Sequence, residues 1–208
     1  MKQRRRFDFG TLPPIDGMDM FIRLDRSIGT SFAELGFMTE TYERAQSALM
    51  FFFQTKEDDA RWQNEARLRA GLNEFYSIED AARRDFLHAA KTVEPPRIAE
   101  SRNPLVHLMY VLRHINVHTH PMATRVQPIT VISEFGGSTH EHSYGAIIVE
   151  TISVRDLQRS REVIDYYDSG DLQRALDWLL QKQQTFGVSE VFRAGMNAYC
   201  SEILRSLE

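Results

Sequence analysis

The sequence predicts a mainly α-helical protein: a helical bundle with an inserted β-hairpin and C-terminal helices. Three observations lead to this fold class. Apolar residues recur at helical spacing from about Met18 to Pro121. Two runs rich in β-branched residues, QPITVISEF and SYGAIIVETI, then flank a bend at Gly136 and Gly137. Helical spacing returns after the second run and continues through the remaining sequence.

The length and composition are those of one globular domain. The chain has 208 residues, of which 42% are hydrophobic and 26% are charged, so it is long enough to bury a core without disulfides or metals. We divide it into an irregular N-terminal arm (1–17), a helical bundle (18–125), a β-hairpin (126–152) and C-terminal helices that complete the same domain (153–208).

Cysteine content and hydropathy indicate a cytoplasmic protein. A single cysteine, Cys200, rules out an intrachain disulfide and favours a reducing compartment. The basic cluster near the N-terminus is not followed by the apolar stretch of a secretory signal, and the longest apolar run, ALMFFF, is far too short to span a membrane. The net charge of −4 implies that any contact with nucleic acid is local.

The first elements are an arm and an aromatic-rich helix. The segment LPPIDG contains two prolines and a glycine, so we expect the first 17 residues to form an irregular arm. Thr39 or Thr41 is expected to cap a helix through YERAQSALMFFFQT. Because Phe51, Phe52 and Phe53 cannot share one core-facing stripe, we expect this helix to be central or buried in an oligomer.

The next segment is strongly helical. Leu68, Leu72 and Phe75 form one apolar stripe at helical spacing. Trp62 and Ala66 sit about a third of a turn away and are expected to widen that buried face.

Capping patterns set the expected bounds of the following helices. Ser77 with Asp80 resembles the start of a separate helix. Asn103 and Pro104 are a cap and a first helical residue for LVHLMYVLRHINVH, which Pro121 closes.

The chain is helical again after the hairpin, beginning with LQRSREVIDYYDSG. Asp171 is expected to cap the helix LQRALDWLLQKQQTF, which Gly187 ends. Ser189 is expected to cap the last helix, in which Cys200 is an inert small residue among apolar neighbours.

The candidate site lies at the end of the fourth helical segment, in LRHINVHTH. Arg113 is followed by four residues and then His118, which places the two side chains about 140° apart on an ideal helix. Arg113, Asn116 and His118 are polar exceptions to the apolar stripe of Leu105, Leu108, Met109 and Leu112, and His114 follows Arg113 directly. A shared site would require the helix end to unwind or a second subunit to contribute.

An arginine, a polar neighbour, a short gap and a histidine near the end of a late bundle helix resemble the HEPN superfamily (higher eukaryotes and prokaryotes nucleotide-binding). The resemblance covers roughly residues 32–120 and leaves the hairpin and C-terminal helices aside. It implies a helical bundle that dimerises so that both motifs line one cleft. Many members are ribonucleases of toxin–antitoxin, abortive-infection and RNA-processing systems. Some families carry a modified Tyr two places after the His, where this chain has His120.

The resemblance implies a metal-independent endoribonuclease, and the residue chemistry fits that reaction. Histidine titrates near neutrality and can exchange protons with the 2′-hydroxyl and leaving group, whereas arginine binds phosphate oxygens in a fork. We therefore expect Arg113 and His118 to be catalytic, and His114 and Asn116 to bind the substrate. We expect RNA as the substrate, a symmetric homodimer, no cofactor and no bound metal. A toxin or phage-defence effector would also have an antitoxin protein as partner.

Two alternatives remain open. The chain could keep the HEPN-like bundle as a non-catalytic RNA-binding or partner subunit, with Arg113 and His118 forming an ordinary helix end. It could also be a metal-dependent hydrolase, because His114 and His118 have the i, i+4 spacing of a shared metal and His140 and His142 lie in the hairpin turn.

Overall fold

A computed structural model describes residues 7–17, 22–118, 122–135, 138–150, 152–159 and 168–208. It confirms the predicted fold class: within these residues the protein is a helical bundle that carries one antiparallel two-stranded hairpin. The elements are α1 (Arg26–Leu35), α2 (Thr39–Phe53), α3 (Arg61–His88), α4 (Pro104–His118), β1 (Thr124–Phe135), β2 (Ser138–Val149), α5 (Val154–Leu157) and α6 (Ser169–Arg205).

Helix α2 packs along α3, and its first turn is capped from that neighbouring helix. The buried carboxylate of Asp85 accepts hydrogen bonds from the Thr41 backbone N (2.9 Å) and the Thr41 Oγ1 (2.7 Å). The prediction that Thr39 or Thr41 caps the helix was wrong, because both lie inside α2 and the cap is a long-range one. The two helices approach closely where Gly71 meets the ring of Phe52, which a side chain at position 71 would displace.

The core stripe predicted on α3 is confirmed: Leu68, Leu72 and Phe75 have no solvent exposure. The prediction that Trp62 and Ala66 widen this buried face was wrong. Trp62 is 68% exposed and Ala66 is also exposed, because no described element covers that side of the first turns of α3.

Helix α3 is continuous, so the predicted helix start at Ser77 was also wrong. Ser77 donates its hydroxyl to the carbonyl oxygen of Asn73 one turn earlier (2.9 Å), a bond that a serine can make inside a helix. Because neither proline nor glycine stands at this point, nothing interrupts the helix.

Helix α4 is the central helix of the bundle. Its predicted start is confirmed, since the side chain of Asn103 accepts from the backbone N of Leu105 (2.9 Å) and Val106 (3.2 Å). Residues 104–112 are all buried; among the positions of α4 whose side chains the structure describes, 113 and 114 are half-buried, and 115 and 116 are buried again. Gly195 of α6 lies against Met109 so closely that a Cβ there would clash.

The hairpin is confirmed, with slightly different bounds from the predicted 126–152. Its strands pair from Thr124 with Val149 to Phe135 with Ser138, while Gly136 and Gly137 lie outside the described residues. The end near Val149 is buried, and Gln183 of α6 both donates to and accepts from the backbone of Val149 (2.8 and 2.9 Å). The far end of β2 is exposed, so the hairpin projects from the bundle.

Helix α6 begins at Ser169 and is interrupted at Gly187, as predicted, where the positive φ of 76° breaks the helical backbone. Its cap is Asp168, which accepts from the Gly170 backbone N (2.8 Å), and not Asp171, which lies within the first turn. The hydroxyl of Ser189 donates to the Phe52 carbonyl oxygen (2.7 Å) and so ties α6 to α2.

The helix predicted from Leu157 onward is wrong at its start, because α5 ends at Leu157 and the chain turns at Gln158 and Arg159; residues 160–167 of that segment lie outside the described part of the chain. In the described residues, none of the helices has the length and hydropathy needed to cross a membrane.

Candidate functional site

The candidate site lies where α3 and α4 pack in opposite directions. The rings of Tyr76 and Tyr110 stack with centroids 5.9 Å apart and planes 27° apart. One turn further along, Asn73 of α3 meets Arg113 of α4. Moving towards the end of α4 therefore means moving towards the start of α3.

Arg113 is held in a defined position by two contacts from α3. Its Nε donates to the Oδ1 of Asn73 (3.2 Å), and its guanidinium carbon lies 4.5 Å from the centroid of the Tyr76 ring. The neighbouring Glu74 takes no part, because its carboxylate pairs with Arg44 of α2 (2.8 Å). The geometry leaves the two Nη groups of Arg113 available to a ligand.

The charge of Arg113 is not neutralised by a carboxylate. The residue is half-buried, and within the described part of the chain no Asp or Glu oxygen lies within 4 Å of it. A guanidinium that is partly withdrawn from water and has no counter-ion attracts anions more strongly than a fully solvated one.

His114 is packed among aromatic rings next to Arg113. Its ring meets Tyr110 edge-on (4.6 Å between centroids) and Tyr76 in the same manner (6.2 Å). His107 continues this row on the other side of Tyr110 (5.4 Å). These contacts fix the orientation of the His114 imidazole while leaving the residue half-exposed.

Asn116 is buried, with 6% of its surface exposed, and anchors the chain that follows α4. Its Oδ1 accepts a hydrogen bond from the backbone N of Met122 (3.1 Å). Its Nδ2 is buried and has no acceptor among the described residues. Because Nδ2 is enclosed, a substrate does not reach it in this arrangement of the chain.

His118 is the last residue of α4, and its side chain falls outside what the structure describes, as does all of His120. The structure thus brings Arg113 and His114 together with Asn73 and Tyr76, and does not bear on the side chain of His118.

Arg69 belongs to the same face of α3 and was missed from the sequence. It stands one turn before Asn73 and two turns before Tyr76, the residues that contact Arg113. Sequence patterns do not separate it from the other arginines of α3, Arg61, Arg67, Arg83 and Arg84. The spacing from Asn73 and Tyr76 becomes informative only once their contact with α4 is known.

The histidines of the hairpin contact each other on the exposed part of β2. His140 and His142 stack at 6.3 Å on one side of the exposed part of β2. Among the residues with described positions, no three His, Cys, Asp or Glu side chains are grouped so that they could hold a metal ion.

A cleft of about 1020 Å³ opens elsewhere, between the N-terminal arm, the loop before α4 and the second half of α6. None of the predicted site residues lines it. Its charged lining is more acidic than basic, which suits a polyanion poorly: Asp8, Asp16, Asp25, Glu100, Glu190 and Glu202 stand against Arg97, Arg102, Arg193 and Arg205.

Comparison with known proteins gives no relative from which a role could be transferred: no family model, curated protein or solved structure matches the chain.

Proposed function

We propose that this protein is a metal-independent endoribonuclease of HEPN type, with its site at the end of α4. The observation that carries the proposal is the half-buried guanidinium of Arg113, which Asn73 and Tyr76 hold in place and no described carboxylate neutralises. A fixed cation of this kind suits a phosphodiester, whose negative charge increases during attack by a neighbouring hydroxyl.

The proposed reaction is attack of the RNA 2′-hydroxyl on the adjacent phosphorus. His118 of one subunit accepts the 2′-hydroxyl proton as the O2′–P bond forms. The P–O5′ bond breaks, and the leaving oxygen takes a proton from a second acid. The products are a 2′,3′-cyclic phosphate and a 5′-hydroxyl. Arg113 binds the non-bridging oxygens and His114 binds the substrate beside them, while Asn116 holds the chain that follows α4 in place.

Two proton-transfer groups are required, and a symmetric homodimer would supply two copies of His118 in one cleft. We therefore propose that the α4 ends of two subunits meet near the two-fold axis. Light scattering at micromolar concentration measures this directly, and a strictly monomeric protein would count against the proposal. Activity as a toxin or phage-defence effector, with an antitoxin protein as partner, would follow from such a ribonuclease.

A non-catalytic RNA-binding subunit is the second candidate, because an un-neutralised Arg113 would serve binding as well as cleavage. Incubating single-stranded RNA with the purified protein separates the two. The proposal predicts cleavage that is unchanged by excess chelator. Binding without cleavage would favour the second candidate. Cleavage that disappears with chelator and returns with Zn²⁺ would instead favour a metal-dependent hydrolase using His114, His118 and the hairpin residues His140 and His142.

A further inference from the structure

We infer that Arg69 is a second phosphate-binding residue of this site, which contacts the RNA backbone next to the phosphate held by Arg113. The inference deepens the proposed function and rests on it for the identity of the ligand. Four observations support it: the missing counter-ion of Arg69, its position on α3, the accessibility of its outer nitrogens and the negative net charge of the chain.

Arg69 and Arg113 stand out among the arginines that the structure describes. Four of these arginines are half-buried. Arg67 pairs with Asp59, and Arg193 pairs with Glu190 (2.8 Å). Arg69 and Arg113 have no carboxylate within 4 Å in the described residues. A partly buried cation without a counter-ion is unfavourable for folding. A ligand that supplies the negative charge would explain why the fold retains both arginines in this state.

The packing of α3 on α4 places Arg113 against the same face of α3 that carries Arg69. Asn73 contacts Arg113, and Arg69 precedes Asn73 by one turn, on the same face of α3 and about 6 Å along its axis. Since the helices run in opposite directions, this turn of α3 is level with the last turn of α4, which ends at His118.

The arrangement around Arg69 leaves its charge available. Its Nε is buried without an acceptor among the described residues, whereas neither Nη is among the buried unpaired atoms. The Nε is thus enclosed by the fold and the outer nitrogens face solvent. Two guanidinium groups held along one face of α3, each able to bind phosphate oxygens in a fork, match a ligand with successive phosphates.

A local pair of cations is also what this chain needs to bind RNA. Its net charge is −4, so a general attraction to a polyanion is absent. Binding must then come from a few specific contacts, and each contact releases counter-ions from the RNA.

The test measures binding of a 2′-O-methyl RNA, in which the attacking hydroxyl is blocked, as a function of salt concentration. For single strands the slope of log K against log salt changes by about 0.7 for each phosphate that the protein neutralises. Arg69→Met, which keeps the apolar stem, should reduce the slope by about 0.7 for each phosphate that Arg69 binds, and Arg69→Lys should retain most of it. Arg67→Met is the matched control. It lies about 3 Å closer to the start of α3 and about 200° around the helix, and should leave the slope unchanged.

On cleavable RNA, Arg69→Met should raise KM and leave kcat almost unaltered, since the residue binds substrate in the ground state as well. An unchanged slope for Arg69→Met, with the parent protein still cleaving RNA, would overturn the role of Arg69 alone. A slope that depends on Arg69 in a protein that never cleaves RNA would support the phosphate site and refute the nuclease. A slope that falls equally for Arg67→Met would overturn the inference, because binding would then follow total charge.

Discussion

Replacing Arg113 by Met should abolish RNA cleavage while changing the stability of the fold only slightly. The substitution removes the hydrogen bond to Asn73, worth about 0.5–1.5 kcal/mol, and the contact of the cation with Tyr76, worth about 0.5–1 kcal/mol. Two gains oppose these losses. A methionine sulfur on the Tyr76 ring contributes about 0.3–1.5 kcal/mol, and the half-buried charge of Arg113, which has no counter-ion among the described residues, is removed.

The net change in the free energy of unfolding should therefore stay within about 1 kcal/mol, or about 2–4 °C in Tm for a chain of this size. Loss of one group that stabilises a developing oxyanion typically lowers kcat by about 10²–10³-fold. The assay is cleavage of labelled single-stranded RNA, with a calorimetric melt of each variant and Arg67→Met as the control. Full cleavage by Arg113→Met would refute the catalytic role, and so would a Tm lower by more than about 10 °C, which would make Arg113 part of the scaffold.

Three further predictions concern the fold. Asp85→Ala should lower the free energy of unfolding by about 2–4 kcal/mol in chemical denaturation, because the backbone N and Oγ1 of Thr41 lose their acceptor; an unchanged midpoint would contradict the long-range cap. Burial raises the pKa of the Cys200 thiol to about 12, so a thiol reagent should label the protein only after unfolding, and rapid labelling of the native state would show that the residue is accessible. Burial also raises the pKa of Glu202, although the hydrogen bond from Ser101 opposes this. The folded state is then favoured at acidic pH and loses stability as the pH rises through the raised pKa, so Glu202→Gln should raise Tm at neutral pH, with a gain that vanishes in acid; a gain independent of pH would contradict this assignment.

The sequence predicts well those features that depend on neighbouring residues. The cap at Asn103, the stripe of Leu68, Leu72 and Phe75, and the break at Gly187 all follow from local geometry, and the structure contains each of them. These patterns operate within one or two helical turns, where side-chain spacing and backbone preference determine the outcome.

The errors arise where distant parts of the chain decide. Thr41 resembles a local cap, but the carboxylate of Asp85, 44 residues away, performs that role. Trp62 fits the apolar pattern of α3, yet it is exposed because no described element packs against it. Long-range packing of this kind leaves no periodic signal in the sequence.

The candidate site divides in the same way. The adjacent Arg113 and His114 can be identified within LRHINVHTH from the sequence, and the structure adds their partners Asn73 and Tyr76. Arg69 could not be singled out, because its separation from Arg113 along the chain is 44 residues and only the packing of α3 on α4 places Arg113 against the face of α3 that carries Arg69.

The chemistry of the RNA ends tests the central claim most directly. Single-stranded RNA is incubated with the purified protein in excess chelator, and the new 3′ ends are identified. The proposed mechanism predicts 2′,3′-cyclic phosphates, produced by the parent protein and absent with Arg113→Met or His118→Ala, and no cleavage of RNA whose 2′-hydroxyls are methylated. New 3′ ends that carry a free hydroxyl, or products that form equally well from the methylated RNA, would contradict attack by the 2′-hydroxyl and with it the proposed site.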